Sequence, residues 1–105
     1  MTLPDDIRIQ FLFFDGCPLA DAAKESLEAA LSECGMSTYE ELDIFDPTTP
    51  HELRGWGSPT VLVNGGDVTG QPKGDSPGCR LYPDGEPSTM TIIAGINRAR
   101  GEWGH

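Results

Sequence analysis

The hydrophobic pattern begins with a nearly continuous apolar run over residues 7–14, Ile-Arg-Ile-Gln-Phe-Leu-Phe-Phe. Such a run of β-branched and aromatic residues is typical of a strand that is buried on both faces. After residues 15–18, the pattern changes to apolar residues at intervals of three and four, namely Leu19, Ala23, Leu27, Ala30, Leu31 and Cys34. This spacing predicts an amphipathic helix over residues 18–34, and Gly35 is expected to cap its C-terminal end.

The next stretch predicts a second strand and a short helix. Residues 38–45 alternate in the manner of a strand. A strand, a long helix and another strand in succession predict a parallel pair that is joined by a crossover helix. The sequence Thr49-Pro50-His51-Glu52 fits a capping box, in which the Thr49 side chain caps a short helix and His51 lies exposed in its first turn.

A β-hairpin is predicted in the second half of the chain. Residues 60–63, Thr-Val-Leu-Val, have the composition of a third strand. Asn64-Gly65 is a strong signal for a tight turn, so a short fourth strand at residues 67–69 should return antiparallel to the third.

A long loop and a last helix follow the hairpin. Residues 70–87 are rich in Gly, Pro, Asp and Ser and predict the loop. Ser88 or Thr89 is expected to cap a helix over residues 89–100. Its predicted inner side consists of Met90, Ile93, Ala94 and either Ile96 or Asn97. The element order β-α-β-α-β-β-α predicts one α/β domain over residues 1–105, with a central mixed four-stranded sheet and helices on both faces.

The charge balance excludes several classes of partner. Lys and Arg number 7 against 17 Asp and Glu, which gives a formal net charge of −10. Because phosphate binding needs clustered Lys and Arg, neither nucleic acid nor an anionic membrane surface is an expected partner. No stretch approaches the roughly 18–20 apolar residues of a membrane span, and residues 1–6 contain no basic segment that would begin a signal peptide. We therefore expect a cytoplasmic protein.

The three cysteines, at positions 17, 34 and 79, are too widely spaced to indicate a disulfide framework. No Cys-x-x-Cys pair or cysteine–histidine cluster is present, so a zinc site of familiar spacing is not expected, and no cofactor is indicated. Cys34 continues the apolar side of the first helix, and we expect it to be a packed structural thiol.

Cys17 is the candidate with reactive chemistry, because it lies where the first strand passes into the first helix. Pro18 fits the first helical position, which places Cys17 at or beside the N-cap. The helix dipole favours a thiolate there, and Arg80 would favour it too. Asp15 and Asp21 would oppose a thiolate, and the sequence leaves this balance open.

Three short motifs resemble those of a known family. Gly16-Cys17-Pro18 follows the first strand, Ser58-Pro59-Thr60-Val61 opens the third strand, and Cys79-Arg80-Leu81-Tyr82 lies in the long loop. Together with the element order, these motifs resemble the thioredoxin fold over about residues 7–100, and most closely a group of small bacterial thioredoxin-like proteins. The resemblance implies a cis peptide bond between Ser58 and Pro59, close to Cys17.

The chain departs from that family at its best-known motif. Thioredoxin-like oxidoreductases commonly carry Cys-x-x-Cys, whereas residues 17–20 are Cys-Pro-Leu-Ala, so dithiol exchange within the motif is impossible. Cys79 is the candidate resolving thiol, because a long loop can bring it within the roughly 7 Å between Cα atoms that a disulfide requires. Lys73 is the only basic residue near the end of the fourth strand, so the basic groups with which monothiol glutaredoxins bind glutathione are not matched.

Three functions remain open at this point. In the first, the protein is a thiol–disulfide or peroxide-type oxidoreductase whose catalytic residues are Cys17 as nucleophile and Cys79 as resolving thiol, acting on a protein or small-molecule thiol or disulfide. In the second, the two thiolates hold a soft metal such as Cu(I) or Hg(II). In the third, the chain is a scaffold without redox chemistry.

The expected substrate groove consists of Ser58, Pro59, Pro18, Trp56 and Arg80. Trp56 equally fits a position at the edge of the core, and no feature indicates an oligomeric state.

Overall fold

Seven elements follow one another in the predicted order. The computed structural model describes residues 7–36, 38–70 and 88–100. The elements are β1 (Ile9–Phe13), α1 (Ala20–Glu33), β2 (Glu40–Asp43), α2 (His51–Arg54), β3 (Thr60–Val63), β4 (Gly66–Asp67) and α3 (Thr89–Arg100). Within the described ranges, no helix combines the length and the apolar composition that crossing a membrane requires.

The four strands form one mixed sheet in the order β2-β1-β3-β4. β1 pairs parallel to β2 and antiparallel to β3, and β3 pairs antiparallel to β4. Leu12 therefore lies opposite Leu42 on one side and Thr60 on the other. Because β1 is an inner strand, residues 9–12 are all buried, which accounts for the continuous apolar run in the sequence.

Different helices cover the two faces of the sheet, as predicted. On one face, α1 and α3 pack against β1 and β3 in a large apolar cluster. Its buried members are Ile9, Phe11, Cys17, Ala20, Ala23, Leu27, Ala30, Leu31, Val61, Val68, Ile92 and Ile96. On the other face, Leu12, Ile44 and Leu62 form a smaller cluster, against which Leu53 of α2 and Trp56 pack.

Three short sequence features adopt the local structures that were expected of them. Gly35 follows α1 with a φ of +73°, in the left-handed region that favours glycine at a helix end. Asn64 and Gly65 have φ values of +53° and +87°, the two positive values of a type I′ hairpin turn. Ser88 precedes α3, and its Oγ accepts a hydrogen bond from the Thr91 N–H at 3.2 Å, so Ser88 caps the helix.

The predicted capping box at α2 is wrong. Pro50 occupies the N-cap, and no side chain caps the helix. Thr49 is buried, and its Oγ1 donates to the Asp43 carbonyl oxygen at 2.6 Å. The Thr49 hydroxyl therefore donates to the carbonyl oxygen at the end of β2 instead of capping α2. His51 is exposed in the first turn, as predicted.

The predicted inner side of α3 is partly wrong. The buried residues are Ile92, Gly95 and Ile96, whereas Met90 is 72% exposed and Ala94 is also exposed. Gly95 gives the physical reason, because a Cβ atom at this position would lie 2.3 Å from Cγ2 of Val68. The helix therefore approaches Val68 along its glycine, and this contact turns Met90 and Ala94 towards solvent.

Candidate functional site around Cys17

A tight turn carries Cys17 away from the end of β1. The Cys17 N–H donates to the Phe14 carbonyl oxygen at 3.1 Å, which closes a four-residue turn. Gly16, the third residue of this turn, has a φ of +91°, and a turn of this kind favours glycine there. The Cys17 carbonyl oxygen in turn accepts from the Ala20 N–H at 3.2 Å. Backbone hydrogen bonds therefore fix Cys17 on both sides.

The helix begins later than the sequence predicted. Leu19 is the N-cap of α1, no side chain caps it, and Ala20 is its first residue. Pro18 is thus not the first helical position, and Cys17 lies two residues before the N-cap. The hydrogen bond from Ala20 to Cys17 forms a separate tight turn, and the regular helical bonding starts with the Ala23 N–H and the Leu19 carbonyl oxygen, at 3.2 Å.

Cys17 packs in the core and also lines a pocket. It is 7% exposed and forms part of the large cluster between α1 and the sheet. It also borders a pocket of about 380 Å³ at the end of β1. The described lining consists of Phe13, Phe14, Asp15, Gly16, Cys17, Pro18, Ala20 and Asp21.

The side chains around the pocket combine apolar surface with negative charge. Asp15 and Asp21 are exposed, and both line it. A smaller pocket of about 80 Å³ next to it shares Asp21 and includes Lys24 and Glu41. Lys24 Nζ lies 2.6 Å from Glu41 Oε1, and the hydrogen bond between them lowers the pKa of Glu41. The cation nearest to the pocket along α1 is therefore already paired.

The peptide bond between Ser58 and Pro59 is cis, as the resemblance implied. Leu12 lies opposite Thr60 in the antiparallel pair of β1 and β3. One step further in the same register, Pro59 comes opposite Phe13, at the end of the sheet where the Cys17 turn begins. Ser58 and Pro59 are fully buried, and neither is among the described lining of the Cys17 pocket.

The other predicted groove residues lie in several places. Pro18 is exposed and lines the pocket beside Cys17. Trp56 packs against the smaller cluster on the opposite face of the sheet from the cluster that contains Cys17. Cys79 and Arg80 lie outside the described residues, so the predicted contact between Cys17 and Cys79 stays a prediction.

Two hydroxyl groups at the start of β3 differ in their surroundings. Thr60 Oγ1 donates to the carbonyl oxygens of Trp56 and Gly57, at 3.1 Å and 3.0 Å. Ser58 Oγ is buried and has no hydrogen-bond partner among the residues that the structure describes. Buried hydroxyl groups are nearly always satisfied, so within those residues Ser58 is an exception, at the same end of the sheet as Cys17.

An exposed aromatic pair beside the pocket was missed by the sequence analysis. Phe45 is 56% exposed, and its ring centroid lies 5.4 Å from that of Phe14, which lines the pocket. The signal was present in the sequence, because the two residues follow parallel neighbouring strands, whose carboxyl ends lie at the same edge of a sheet.

Cys34 lies at the opposite end of α1 and is the C-cap residue of this helix. It is partly buried and packs against the large cluster, as predicted for a structural thiol. A helix of 14 residues is roughly 21 Å long, so α1 separates Cys34 from the Cys17 pocket. Among the residues that the structure describes, no group of three or more His, Cys, Asp or Glu side chains has the placement of a metal site.

Comparison of the chain with protein-family models, with curated proteins and with solved structures found no match. The geometry around Cys17 is therefore the basis for a functional assignment.

Proposed function

We propose that the protein is a thiol-dependent redox protein in which Cys17 attacks the sulfur of a disulfide substrate. The observation that carries this proposal is the position of Cys17 in the turn between β1 and α1. Its backbone is held by two hydrogen bonds, and the residue lines a pocket of about 380 Å³. A nucleophile needs both a fixed position and room for the reacting group, and this turn supplies the two together.

Features of the sheet support a thioredoxin-like fold as part of the same proposal. The mixed four-stranded sheet, the parallel pair of β1 and β2, and the cis bond before β3 support it, and the cis bond is the feature that the resemblance implies. Fold alone does not determine function, so the weight of the proposal stays on the Cys17 site.

The proposed reaction is a thiol–disulfide exchange. The Cys17 thiolate attacks one sulfur of the substrate disulfide, a new sulfur–sulfur bond forms, and the substrate bond breaks. The leaving thiolate takes a proton from solvent, so Cys17 is oxidised while one half of the substrate is reduced. A second thiol, either Cys79 or a small-molecule thiol, then attacks the mixed disulfide and releases the other half.

A scaffold without redox chemistry is the second candidate, and the burial of Cys17 favours it. The side chain is only 7% exposed, and it lies among apolar residues of the core. A cysteine that is so little exposed is typical of a packed structural thiol. In this role Cys17 would serve as a small packing residue.

A neutral disulfide distinguishes the two candidates. The full chain is incubated with bis(2-hydroxyethyl) disulfide, quenched with acid, and mapped by non-reducing peptide mass spectrometry. We expect the mixed disulfide at Cys17 to form well before one at Cys34. Cys17→Ser should abolish that adduct, and the matched variant Cys34→Ser should retain it.

The same experiment tests whether Cys79 is the resolving thiol. An adduct at Cys17 that converts into a Cys17–Cys79 disulfide would identify Cys79 as the resolving thiol. If Cys17 forms no adduct, or reacts no faster than Cys34, the redox function is refuted and the scaffold takes its place.

A further inference from the structure

The charged residues in the described lining of the Cys17 pocket are all acidic. Asp15 lies two residues before Cys17 in the turn, and Asp21 lies in the first turn of α1, so the two carboxylates flank the thiol along the chain. The described lining of the pocket contains no Lys, Arg or His. Lys24 is the only basic residue of α1, and its ammonium group is bound to Glu41 at 2.6 Å.

The rest of the described lining is apolar. Phe13, Phe14, Pro18 and Ala20 supply carbon surface next to the sulfur. A ligand that fits this arrangement has a short hydrocarbon segment beside its own sulfur and a positive charge within reach of the two carboxylates. An anionic group in the same position would be repelled by Asp15 and Asp21, and the net charge of −10 on the whole chain would add to that repulsion.

We infer that the Cys17 pocket selects disulfides that carry a cationic group near the reacting sulfur over anionic disulfides of similar size. This inference rests on the proposed function, because it concerns the substrate class of the same thiol. The exchange step is unchanged: Cys17 forms a bond to one substrate sulfur, and the other half leaves as a thiol. The cationic group takes no part in bond breaking, since the carboxylates attract and orient it.

Three small disulfides test the inference on the full chain. Cystamine is cationic, bis(2-hydroxyethyl) disulfide is neutral, and dithiodiglycolate is anionic at pH 7. Rates of adduct formation at Cys17 are measured by quench and peptide mapping at low ionic strength. We expect cystamine to react about tenfold or more faster than dithiodiglycolate, with the neutral compound between them. The difference should shrink as salt approaches 1 M, where the Debye length falls to about 3 Å.

Variants separate the pocket from the charge of the whole chain. Asp15→Asn and Asp21→Asn each remove one carboxylate from the lining, and the double variant should lower the cystamine-to-dithiodiglycolate rate ratio severalfold. Glu33→Gln is the matched control, because Glu33 is an exposed residue of the same helix roughly 18 Å from Asp21. It removes the same charge and should leave the ratio at Cys17 close to that of the unmodified chain.

The rate ratio is the decisive quantity for a physical reason. A substitution beside Cys17 changes the reactivity of the thiol towards all three disulfides, and the three leaving thiols also differ in their own reactivity. The change in the rate ratio between a variant and the unmodified chain cancels both effects and keeps the charge preference.

Each outcome separates the two proposals. A reaction of Cys17 with the neutral disulfide but with a ratio near one, or a ratio that Glu33→Gln lowers as much as the double variant does, overturns the inference and leaves the proposed function standing. No reaction of Cys17 with any of the three disulfides overturns both.

Discussion

The two ends of α1 each combine a cysteine with a glycine of positive φ, yet they are built in different ways. At the C-terminal end, the Gly35 N–H donates to the Ser32 carbonyl oxygen at 3.2 Å, and the Met36 N–H donates to that of Leu31 at 2.8 Å. These two bonds form a Schellman motif, which satisfies the last carbonyls of the helix. Cys34 is the C-cap residue of this end and packs against the large cluster.

At the N-terminal end, the turn through Gly16 presents Cys17 to a pocket, and no side chain caps the helix. The C-terminal end is thus closed by local hydrogen bonds, whereas the N-terminal end places a thiol between the core and a space large enough for a ligand. A cysteine near a helix end thus becomes a candidate nucleophile through its surroundings, because the two cysteines flank the same helix and contact the same cluster.

The largest expected effect is a loss of stability when the core that both ends of α1 contact is altered. Leu27 is fully buried in the middle of α1, and Leu27→Ala should lower the free energy of unfolding by about 2–5 kcal/mol, as measured by urea denaturation. Because both cysteines pack against the same cluster, we expect their alkylation rates in the folded variant to converge.

Leu62→Ala is the matched control for this experiment. Leu62 is also fully buried, but it belongs to the cluster on the other face, which contains neither cysteine. The variant should be destabilised to a comparable extent and should keep the ratio of alkylation rates. A change in that ratio as large as in Leu27→Ala would show that the two clusters do not protect the thiols separately.

The next effect compares the two glycines. Gly16 and Gly35 have φ values of +91° and +73°, and a Cβ built at either position would meet no described residue within 4 Å other than its chain neighbours. Gly16→Ala and Gly35→Ala should therefore each cost about 1–2 kcal/mol through backbone conformation alone. Chemical denaturation measures both losses, and adduct formation at Cys17 should change only in Gly16→Ala.

Gly66→Ala serves as the control for added bulk. Gly66 lacks a positive φ, and a Cβ there would be 4.0 Å from its nearest neighbour, so this variant should keep its stability or gain slightly. Equal changes at Cys17 in Gly16→Ala and Gly35→Ala would contradict the view that only the N-terminal turn positions the thiol.

Local chemistry explains which parts of this structure the sequence predicts well. Gly35 and the Asn64-Gly65 pair act through their own backbone angles, so neighbouring residues suffice to predict the end of α1 and the hairpin. Thr49 and Met90 were predicted wrongly because the outcome depends on distant partners. The Asp43 carbonyl oxygen accepts a hydrogen bond from the Thr49 hydroxyl, and the contact of Gly95 with Val68, just after β4, sets which side of α3 is buried.

The candidate site likewise has features that the sequence predicts and features that it does not. The position of Cys17 after the first strand follows from the hydrophobic pattern, and the cis bond before Pro59 was implied by the resemblance and is confirmed. The burial of the thiol and the aromatic pair of Phe14 and Phe45 arise from packing between strands that are distant in sequence. Periodicity along a single segment carries no information on such contacts.

The smallest expected effect concerns polar contacts between the two ends of α1. Lys24 bonds to Glu41 on β2 at 2.6 Å, and the Tyr39 hydroxyl donates to Glu28 at 2.9 Å and to Glu41 at 3.0 Å. The hydrogen bond from Lys24, together with that from Tyr39, lowers the pKa of Glu41 below its ordinary value of 4.5. These contacts link the middle of the helix to the edge strand, so they should stabilise both ends alike.

The sign of the pH dependence follows from that direction. A carboxyl group whose pKa is lower in the folded chain stabilises it above pH 4.5, and this contribution is lost as the pH falls through the folded pKa. Glu41→Gln should therefore show a slightly smaller loss of stability than the unmodified chain when urea midpoints at pH 7 and pH 3 are compared. Glu52→Gln removes an exposed carboxylate from α2 and controls for net charge. If Glu41→Gln and Glu52→Gln lose the same stability between pH 7 and pH 3, solvent screening cancels the stabilisation by the exposed pair of Lys24 and Glu41.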